Sequence, residues 1–206
     1  MFSTLQAFLS VLLPAAVVAG AKSAGGQPTS TLDNLQAAFE GESNARHKYL
    51  AFAKKADEEG YGEVASLFRA GAKAEEFHAN NHAVVIRKLG AEPKATILDP
   101  EVKSTRENLQ EAITGESYER DVMYPQFIAE AKSTKNSDAL RTFTFALKTE
   151  AKHAELYAEA LKNLENLRGK SRQYFVCQVC GYTTQTLNFL RCLVCGEPKE
   201  KYITVS

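Results

Sequence analysis

The pattern Glu-x-x-His occurs twice in this chain, and this repetition constrains the fold more than any other sequence feature. The first copy is Glu75 to His78 and the second is Glu150 to His153. Residues three positions apart lie on one face of an α-helix, so each copy can direct a carboxylate and an imidazole towards one point. A single copy would carry little weight, because Glu and His are common on solvated helix faces. Two copies together indicate a metal site.

A second signature repeats in step with the first. Gly41-Glu42-Ser43 precedes one Glu-x-x-His copy and Gly115-Glu116-Ser117 precedes the other, which is typical of an internal duplication. The chain thus offers four helices that carry a Glu, a Glu-x-x-His, a Glu and a Glu-x-x-His, the ligand set of ferritin-like di-iron carboxylate bundles. The predicted ligands are Glu42, Glu75, His78, Glu116, Glu150 and His153.

The chemistry of this ligand set favours a pair of divalent irons or manganese ions. Four carboxylates and two imidazoles match the preferences of these ions, whereas zinc prefers fewer ligands with more sulfur or nitrogen. The alternative is a group of buried ion pairs. It is disfavoured because no Arg or Lys recurs on the ligand faces.

Glycines and prolines indicate where the bundle helices begin and end. The first helix should run from Ser30 or Thr31 to about Glu59, and Gly60-Tyr61-Gly62 permits a tight turn into the second, at about 63–89. Pro93 and Pro100 exclude a continuous helix after that. They predict the long connection that joins the two hairpins of a ferritin-like bundle.

The second half contains its own signals. Ser104 and Glu107 have the spacing of a capping box and should open the third helix. Pro125 lies inside that helix and predicts a kink or a local irregularity. The fourth helix should follow a turn at 133–136 and end at a short linker near Gly169.

Five further residues could contribute to the metal site. Glu119 lies one helical turn after Glu116 and has no counterpart in the first half, where Ala45 takes its place. Tyr49 and Tyr124 lie at similar offsets after Glu42 and Glu116, so they could hydrogen-bond to ligand carboxylates or simply fill the core. The two remaining histidines, His47 and His82, are interpreted as solvent-facing or incidental.

All four cysteines lie near the C-terminus, as Cys177-x-x-Cys180 and Cys192-x-x-Cys195. Two such pairs predict a tetrahedral site of four sulfurs that holds zinc or a single iron, and the spacing alone favours a zinc ribbon. Gly181 and Gly196 follow the two pairs and permit tight turns. The aromatic residues expected to form a small core for this module are Tyr174, Phe175, Tyr182 and Phe189.

The balance of charged residues and the N-terminal segment indicate which partners and which cellular location to expect for this protein. Lys plus Arg equals Asp plus Glu at 25 each, so we expect neither a nucleic-acid partner nor stable membrane association. The apolar run from Leu5 to Ala19 has the length of a signal-peptide core, although no Lys or Arg precedes it. We expect export to the periplasm, or a cytoplasmic protein if the run is not a true signal.

Together these motifs resemble the rubrerythrin family, in which a ferritin-like di-iron bundle is joined to a rubredoxin-like module. The resemblance spans about Thr31 to Val205 and includes Met123-Tyr124-Pro125. It implies a mainly α fold with a small C-terminal metal-binding β module. The expected divisions are a leader at 1–28, a di-iron domain at 29–168 and an Fe(Cys)4 domain at 172–206.

The resemblance also implies an activity, the reduction of hydrogen peroxide to water in defence against oxidative stress. Electrons would arrive from a donor protein or reductase through the iron of the cysteine module. Glu75 and Glu150 would bridge two irons, with Glu42 on one iron and Glu116 and His153 on the other. Glu119 and His78 would be the catalytic pair, exchanging as ligands of the first iron when its oxidation state changes.

Other functions remain open from the sequence. A ferroxidase or iron-storage protein is one alternative, although a C-terminal appendage would obstruct a hollow storage shell. A bundle with a structural zinc ribbon is another. Leu193 stands where rubredoxin-type modules usually have Pro, so the metal and potential of the cysteine site are less constrained than those of the bundle.

We also expect a homodimer in which the cysteine module of one chain serves the bundle of the other. From His153 the fourth helix continues for about 14 residues, or about 21 Å at about 1.5 Å per residue. This helix would carry the module away from the ligands of its own chain.

Overall fold

The computed structural model describes residues 30–206, so the expected leader lies outside the described residues. Within 30–206 no helix is long and apolar enough to cross a membrane. The mainly α ferritin-like bundle with a small C-terminal β module is confirmed.

The first helical hairpin consists of α1 (Thr31–Glu58) and α2 (Gly62–Lys88). Ser30 caps α1 through a capping box with Asp33. Between the helices Gly60 has φ +80°, a left-handed conformation that favours glycine and allows the tight turn predicted for this segment.

A long connection without helix or strand follows α2 and lies along α1. Side chains on one face of α1 bind its backbone: the Gln36 amide donates to the Glu92 carbonyl at 2.7 Å, and the Glu40 carboxylate accepts from the Thr96 amide at 2.9 Å. Asn44 adds a donor and an acceptor of its own. These bonds satisfy backbone groups that have no secondary structure to pair with.

The third bundle helix is built from three segments. They are α3 (Thr105–Tyr118), a π-helix (Glu119–Met123) and α4 (Tyr124–Ser133). The predicted capping box at Ser104 and Glu107 is confirmed. The irregularity expected near Pro125 is the π-helix, which inserts extra backbone just before the proline.

The fourth bundle helix is α5 (Ser137–Lys162), which is capped by Asn136. Two hydrophobic clusters fill the bundle on either side of the predicted ligands. One contains Tyr49, Phe52, Phe68 and Tyr157. The other contains Leu35, Ile86, Tyr124 and Phe143.

The cysteine module contains a three-stranded antiparallel sheet of β1 (Tyr174–Cys177), β2 (Thr183–Thr184) and β3 (Tyr202–Val205), in the order β2-β1-β3. Tyr174 and Val176 of β1 are buried in the bundle cluster that contains Tyr49. The expectation that Tyr174 belongs to a separate core of the module is therefore wrong. The module's own small cluster instead joins the cysteines to Tyr182 and Tyr202.

The chain reverses after α5, and this reversal decides where the module lies. The Gly169 amide donates to the Gly60 carbonyl at 3.0 Å, and a side chain at Gly62 would collide with the Gly169 carbonyl. The module thus folds back onto the bundle of its own chain. The expectation that the fourth helix carries it away from its own ligands is wrong.

Candidate metal centres

The structure brings the six predicted bundle ligands together in two overlapping groups. One group contains Glu42 and His78, the other contains Glu116 and His153, and Glu75 and Glu150 belong to both. Within each group the ligand atoms lie within 4.8 Å of one another, and every residue is buried. This sharing matches the bridging role that the family resemblance implies for Glu75 and Glu150.

Both histidines direct Nδ1 towards the carboxylates. His78 Nδ1 lies 2.9 Å from Glu75 Oε2 and 2.9 Å from Glu150 Oε1. His153 Nδ1 lies 2.8 Å from Glu150 Oε2 and 3.3 Å from Glu75 Oε1. One nitrogen of each ring therefore faces the same small volume as the carboxylate oxygens.

Unpaired atoms in this volume fit a pair of cations. Despite these short distances, several buried atoms form no well-aligned hydrogen bond: Glu42 Oε2, Glu75 Oε1, both Glu150 oxygens and His153 Nδ1. Burying carboxylates is costly unless a cation compensates them. Within residues 30–206 none of the four ligand carboxylates forms an ion pair with Lys or Arg. The residues present therefore fit a di-metal centre.

The pKa values in the metal-free chain reflect crowding of like charges. Burial, with repulsion from Glu150, raises the pKa of Glu75, and burial with repulsion from Glu75 raises that of Glu116 further. Although burial opposes the shift, attraction to Glu75 raises the pKa of His153 to about 9. Burial also raises the pKa values of Glu42 and Glu150, but hydrogen bonding with the histidines and attraction to them outweigh it, so both values are lowered.

These shifts predict how stability depends on pH. Because the pKa values of Glu75, Glu116 and His153 are raised by folding, the protonated forms of these groups stabilise the folded state. This contribution is complete below the pKa of each group in the unfolded chain and is lost as pH rises through its pKa in the folded chain. Glu42 and Glu150 have the opposite sign, so their contribution is already complete above the usual carboxyl range. The metal-free chain should therefore lose stability as pH rises above the ordinary carboxyl range towards about 9, the folded pKa of His153.

Calorimetry of metal-free and iron-loaded protein across this range would measure the effect. Metal binding requires deprotonated ligands and is favoured by higher pH, so the gap in Tm between the two forms should widen as pH rises. A constant gap would contradict metal binding at these groups.

The two tyrosines named from the sequence hold ligands of the opposite half. Tyr49 donates to Glu116 Oε1 at 2.6 Å, and Tyr124 donates to Glu42 Oε1. Tyr49 lies seven residues after Glu42, whereas Tyr124 lies eight after Glu116. The π-helix between Glu116 and Tyr124 accommodates the extra residue, so both hydroxyls reach equivalent positions.

Glu119 is the predicted ligand that the structure leaves outside both groups. It is partly exposed at the start of the π-helix. Burial of its carboxyl, with repulsion from Glu42 and Glu150, raises its pKa well above the ordinary value. The carboxyl thus lies near the ligands, while His78 is the residue grouped with them.

The two remaining histidines differ from each other. His47 is partly exposed and lies 3.9 Å from Asp99, as expected for a surface residue. His82 is fully buried between Tyr124 and Thr142, so the interpretation that it faces solvent is wrong. It lies outside both ligand groups. Its position one helical turn after His78 was the sequence feature that could have predicted its burial.

The cysteine module contacts the far side of both ligand histidines. His78 Nε2 donates to the Cys180 carbonyl at 2.9 Å, and His153 Nε2 donates to the Thr183 hydroxyl at 3.1 Å. Thr149 also donates to the Cys180 carbonyl. A hydrogen on Nε2 leaves Nδ1 free to bind a metal. Sequence reasoning missed Thr149 and Thr183, which no spacing marks.

The four cysteines form a third candidate centre. Their sulfurs lie within 4.8 Å of one another, with 3.7 Å between Cys177 and Cys195 and 3.5 Å between Cys180 and Cys192. Sulfurs about 2.3 Å from a tetrahedral metal would be about 3.8 Å apart. Gly181 and Gly196 have φ of +78° and +76°, as the predicted tight turns require. This geometry fits iron or zinc.

Known proteins are similar to this chain in both sequence and fold. A profile described as Rubrerythrin matches residues 33–161. The chain is 38% identical to nigerythrin of Nitratidesulfovibrio vulgaris over 187 residues, which cover 90% of each chain. It is 35% identical to rubrerythrin-2 of Clostridium acetobutylicum, with 84% of this chain and 95% of the relative covered.

Among solved structures, the fully reduced, all-ferrous state of nigerythrin matches with a TM-score of 0.81 and 33% identity. The match covers 96% of this chain and all of that one. A bacterioferritin of Desulfovibrio desulfuricans matches with a TM-score of 0.62 at 24% identity, which shows a common fold only.

Proposed function

The chain belongs to the rubrerythrin family, and from that premise we propose that it is a non-haem di-iron peroxidase that reduces hydrogen peroxide to water. The observation that carries the proposal is the contact between the two kinds of centre. The Cys180 carbonyl accepts a hydrogen bond from His78, whose other nitrogen faces the shared carboxylates.

Reduction of one peroxide to two waters consumes two protons and two electrons. When bound, a pair of irons in the bundle would supply two electrons to the O–O bond, and an iron in the cysteine site would replace them one at a time. Glu75 and Glu150 would hold both bundle irons, Glu42 and His78 one, and Glu116 and His153 the other. Tyr49 and Tyr124 fix ligand carboxylates by hydrogen bonds.

A short route connects the cysteine sulfurs with the bundle ligands. It runs from Cys180 Sγ through that residue's own backbone to its carbonyl, and across a 2.9 Å hydrogen bond to His78. All of these groups belong to one chain, which supports electron transfer within the chain. The homodimer, the donor protein or reductase and the exported location stay predictions.

Oxidation of the reduced protein tests the activity. Iron-loaded protein is reduced anaerobically and mixed with hydrogen peroxide or with oxygen, while the visible spectrum is recorded. A peroxidase should consume peroxide much faster than oxygen, with two electrons used per peroxide. A preference for oxygen would favour a ferroxidase, and a colourless cysteine site would indicate zinc.

Glu119 gives a sharper test. An anionic oxygen suits a ferric ion better than neutral imidazole does, so we expect Glu119 to assist when the iron that His78 binds is oxidised. Glu119→Ala should keep both bundle irons, since Glu119 lies outside the ligand groups, but should reduce peroxide about 10-fold more slowly. Stopped-flow oxidation of the reduced variant by peroxide measures this rate.

Asp121 provides a matched control for that variant. It lies in the same π-helix, is exposed and pairs with Arg120. Asp121→Ala should oxidise at the wild-type rate. Unchanged kinetics in Glu119→Ala would show that this carboxylate takes no part in the reaction.

A further inference from the structure

A chain of buried polar groups ends on one of the ligand carboxylates. Thr142 Oγ1 lies 3.0 Å from His82 Nδ1, His82 Nε2 lies 3.2 Å from the Tyr124 hydroxyl, and Tyr124 contacts Glu42 Oε1. His82 is 0% exposed. Neither His82 nor Thr142 belongs to a ligand group.

The carboxylate fixes the direction of every bond in this chain. Glu42 can only accept when ionised, so Tyr124 must donate its single hydroxyl hydrogen to it. The Tyr124 oxygen then accepts from His82 Nε2, which leaves Nδ1 of a neutral ring to accept from Thr142. Burial lowers the pKa of His82 although the Glu42 carboxylate raises it, in agreement with a neutral ring. All donors point towards Glu42, and aligned hydrogen bonds strengthen one another.

The other half of the bundle lacks this support. Glu75 and Glu150 are equivalent in the duplication, and the same offset relates His82 to Tyr157 and Thr142 to Leu67. Tyr157 packs against the ring of Tyr49, but its buried hydroxyl has no hydrogen-bond partner within residues 30–206. Within the described part of the chain, Tyr49 therefore holds Glu116 with no further residue hydrogen-bonded to its hydroxyl.

We propose that His82 is a positioning residue, which with Thr142 fixes Tyr124 and Glu42 and thereby sets the affinity of the metal position that contains Glu42 and His78. Because Tyr124 occupies Oε1, the Oε2 atom of Glu42, which has no hydrogen-bond partner within residues 30–206, would be left to bind a metal. The position that contains Glu116 and His153 does not depend on this chain. The inference rests on the bundle as an iron site but not on peroxide as the substrate.

Iron retention tests the proposal. Iron-loaded wild-type and variant proteins are equilibrated anaerobically with increasing concentrations of a ferrous chelator, and the iron left per chain is counted. Removing a residue that orients a metal ligand costs about 10- to 100-fold in affinity. In His82→Phe, one bundle iron should therefore be lost at about 10- to 100-fold lower chelator concentration, while the other bundle iron and the cysteine-bound iron are kept.

Three variants separate positioning from packing. His82→Gln keeps a donor for Tyr124 and an acceptor for Thr142, and should restore retention. Tyr157→Phe removes the unpaired hydroxyl at the equivalent position and should retain iron as the wild type does. Thr142→Val has nearly the same shape as wild type and should weaken the same iron, which keeps the test usable if His82→Phe does not fold.

Two results would overturn the inference. One is wild-type retention in both His82→Phe and Thr142→Val. The other is a Gln variant no better than the Phe variant, because that would reduce His82 to a packing residue. A wild-type bundle that binds no iron would instead overturn the proposed function.

Discussion

Replacing Cys177 or Cys192 by Ser should abolish peroxide turnover supported by a reductase that reduces the cysteine-bound iron of the wild-type protein. Both cysteines are buried members of the four-sulfur group, and a hydroxyl is a poor substitute for a thiolate ligand. The ligand atoms of the bundle lie on the bundle's own helices and should still bind iron that is supplied in excess. Steady-state turnover, with iron counted per chain, measures the effect.

The control for this prediction is a single turnover without the reductase. The bundle of Cys192→Ser, reduced chemically, should still be oxidised by peroxide.

Mixing Cys177→Ser chains with Glu150→Ala chains should leave the mixture inactive, since each module lies on the histidines of its own chain. Recovery in the mixture would show transfer between chains, and wild-type turnover of Cys192→Ser alone would exclude the relay.

Gly181→Ala should slow the same turnover about 100-fold, because displacing groups that act together by about 1 Å can cost this much. A Cβ at Gly181 would collide with the His78 ring, whose Cδ2 would lie only 3.0 Å away. The module must then shift away from the bundle, and the bond between the Cys180 carbonyl and His78 must lengthen or break. Both metal centres keep their ligand side chains and can be loaded from excess iron, so the loss should appear in electron transfer between them.

Gly196→Ala is the matched control. Gly196 follows the second cysteine pair with φ +76°, close to the +78° of Gly181, so both variants carry the same backbone strain of about 1–2 kcal/mol. A Cβ at Gly196 would meet no atom within 4 Å. Equal slowing of the two variants would attribute the effect to strain in the turns and would remove the role assigned to the contact with His78.

The fold could be predicted from the sequence because its signals are local. Ser30 and the pair of Ser104 and Glu107 act through hydrogen bonds between a side chain and nearby backbone, and Gly60 acts through its left-handed conformation. Each lies where the structure ends or begins a helix. The six bundle ligands were predictable for a similar reason. Helical periodicity and internal duplication place them on inward faces.

Contacts between distant segments could not be predicted in this way. The reversal at Gly169 depends on the absence of a side chain at Gly62, more than a hundred residues earlier in the sequence. The burial of His82 depends on Thr142 and Tyr124, which lie on two other helices. Spacing within one helix contains no information about such partners.

The bond from His78 to the Cys180 carbonyl links the loading of one centre to that of the other. Metal binding to the four cysteines stabilises the folded module, and the folded module holds the Nε2 hydrogen that leaves Nδ1 bare for the bundle metal. Such coupling between two binding sites is reciprocal. Filling the bundle should therefore tighten metal binding by the cysteines, and maturation of the protein should be cooperative, with partly loaded chains scarcer than independent sites would give.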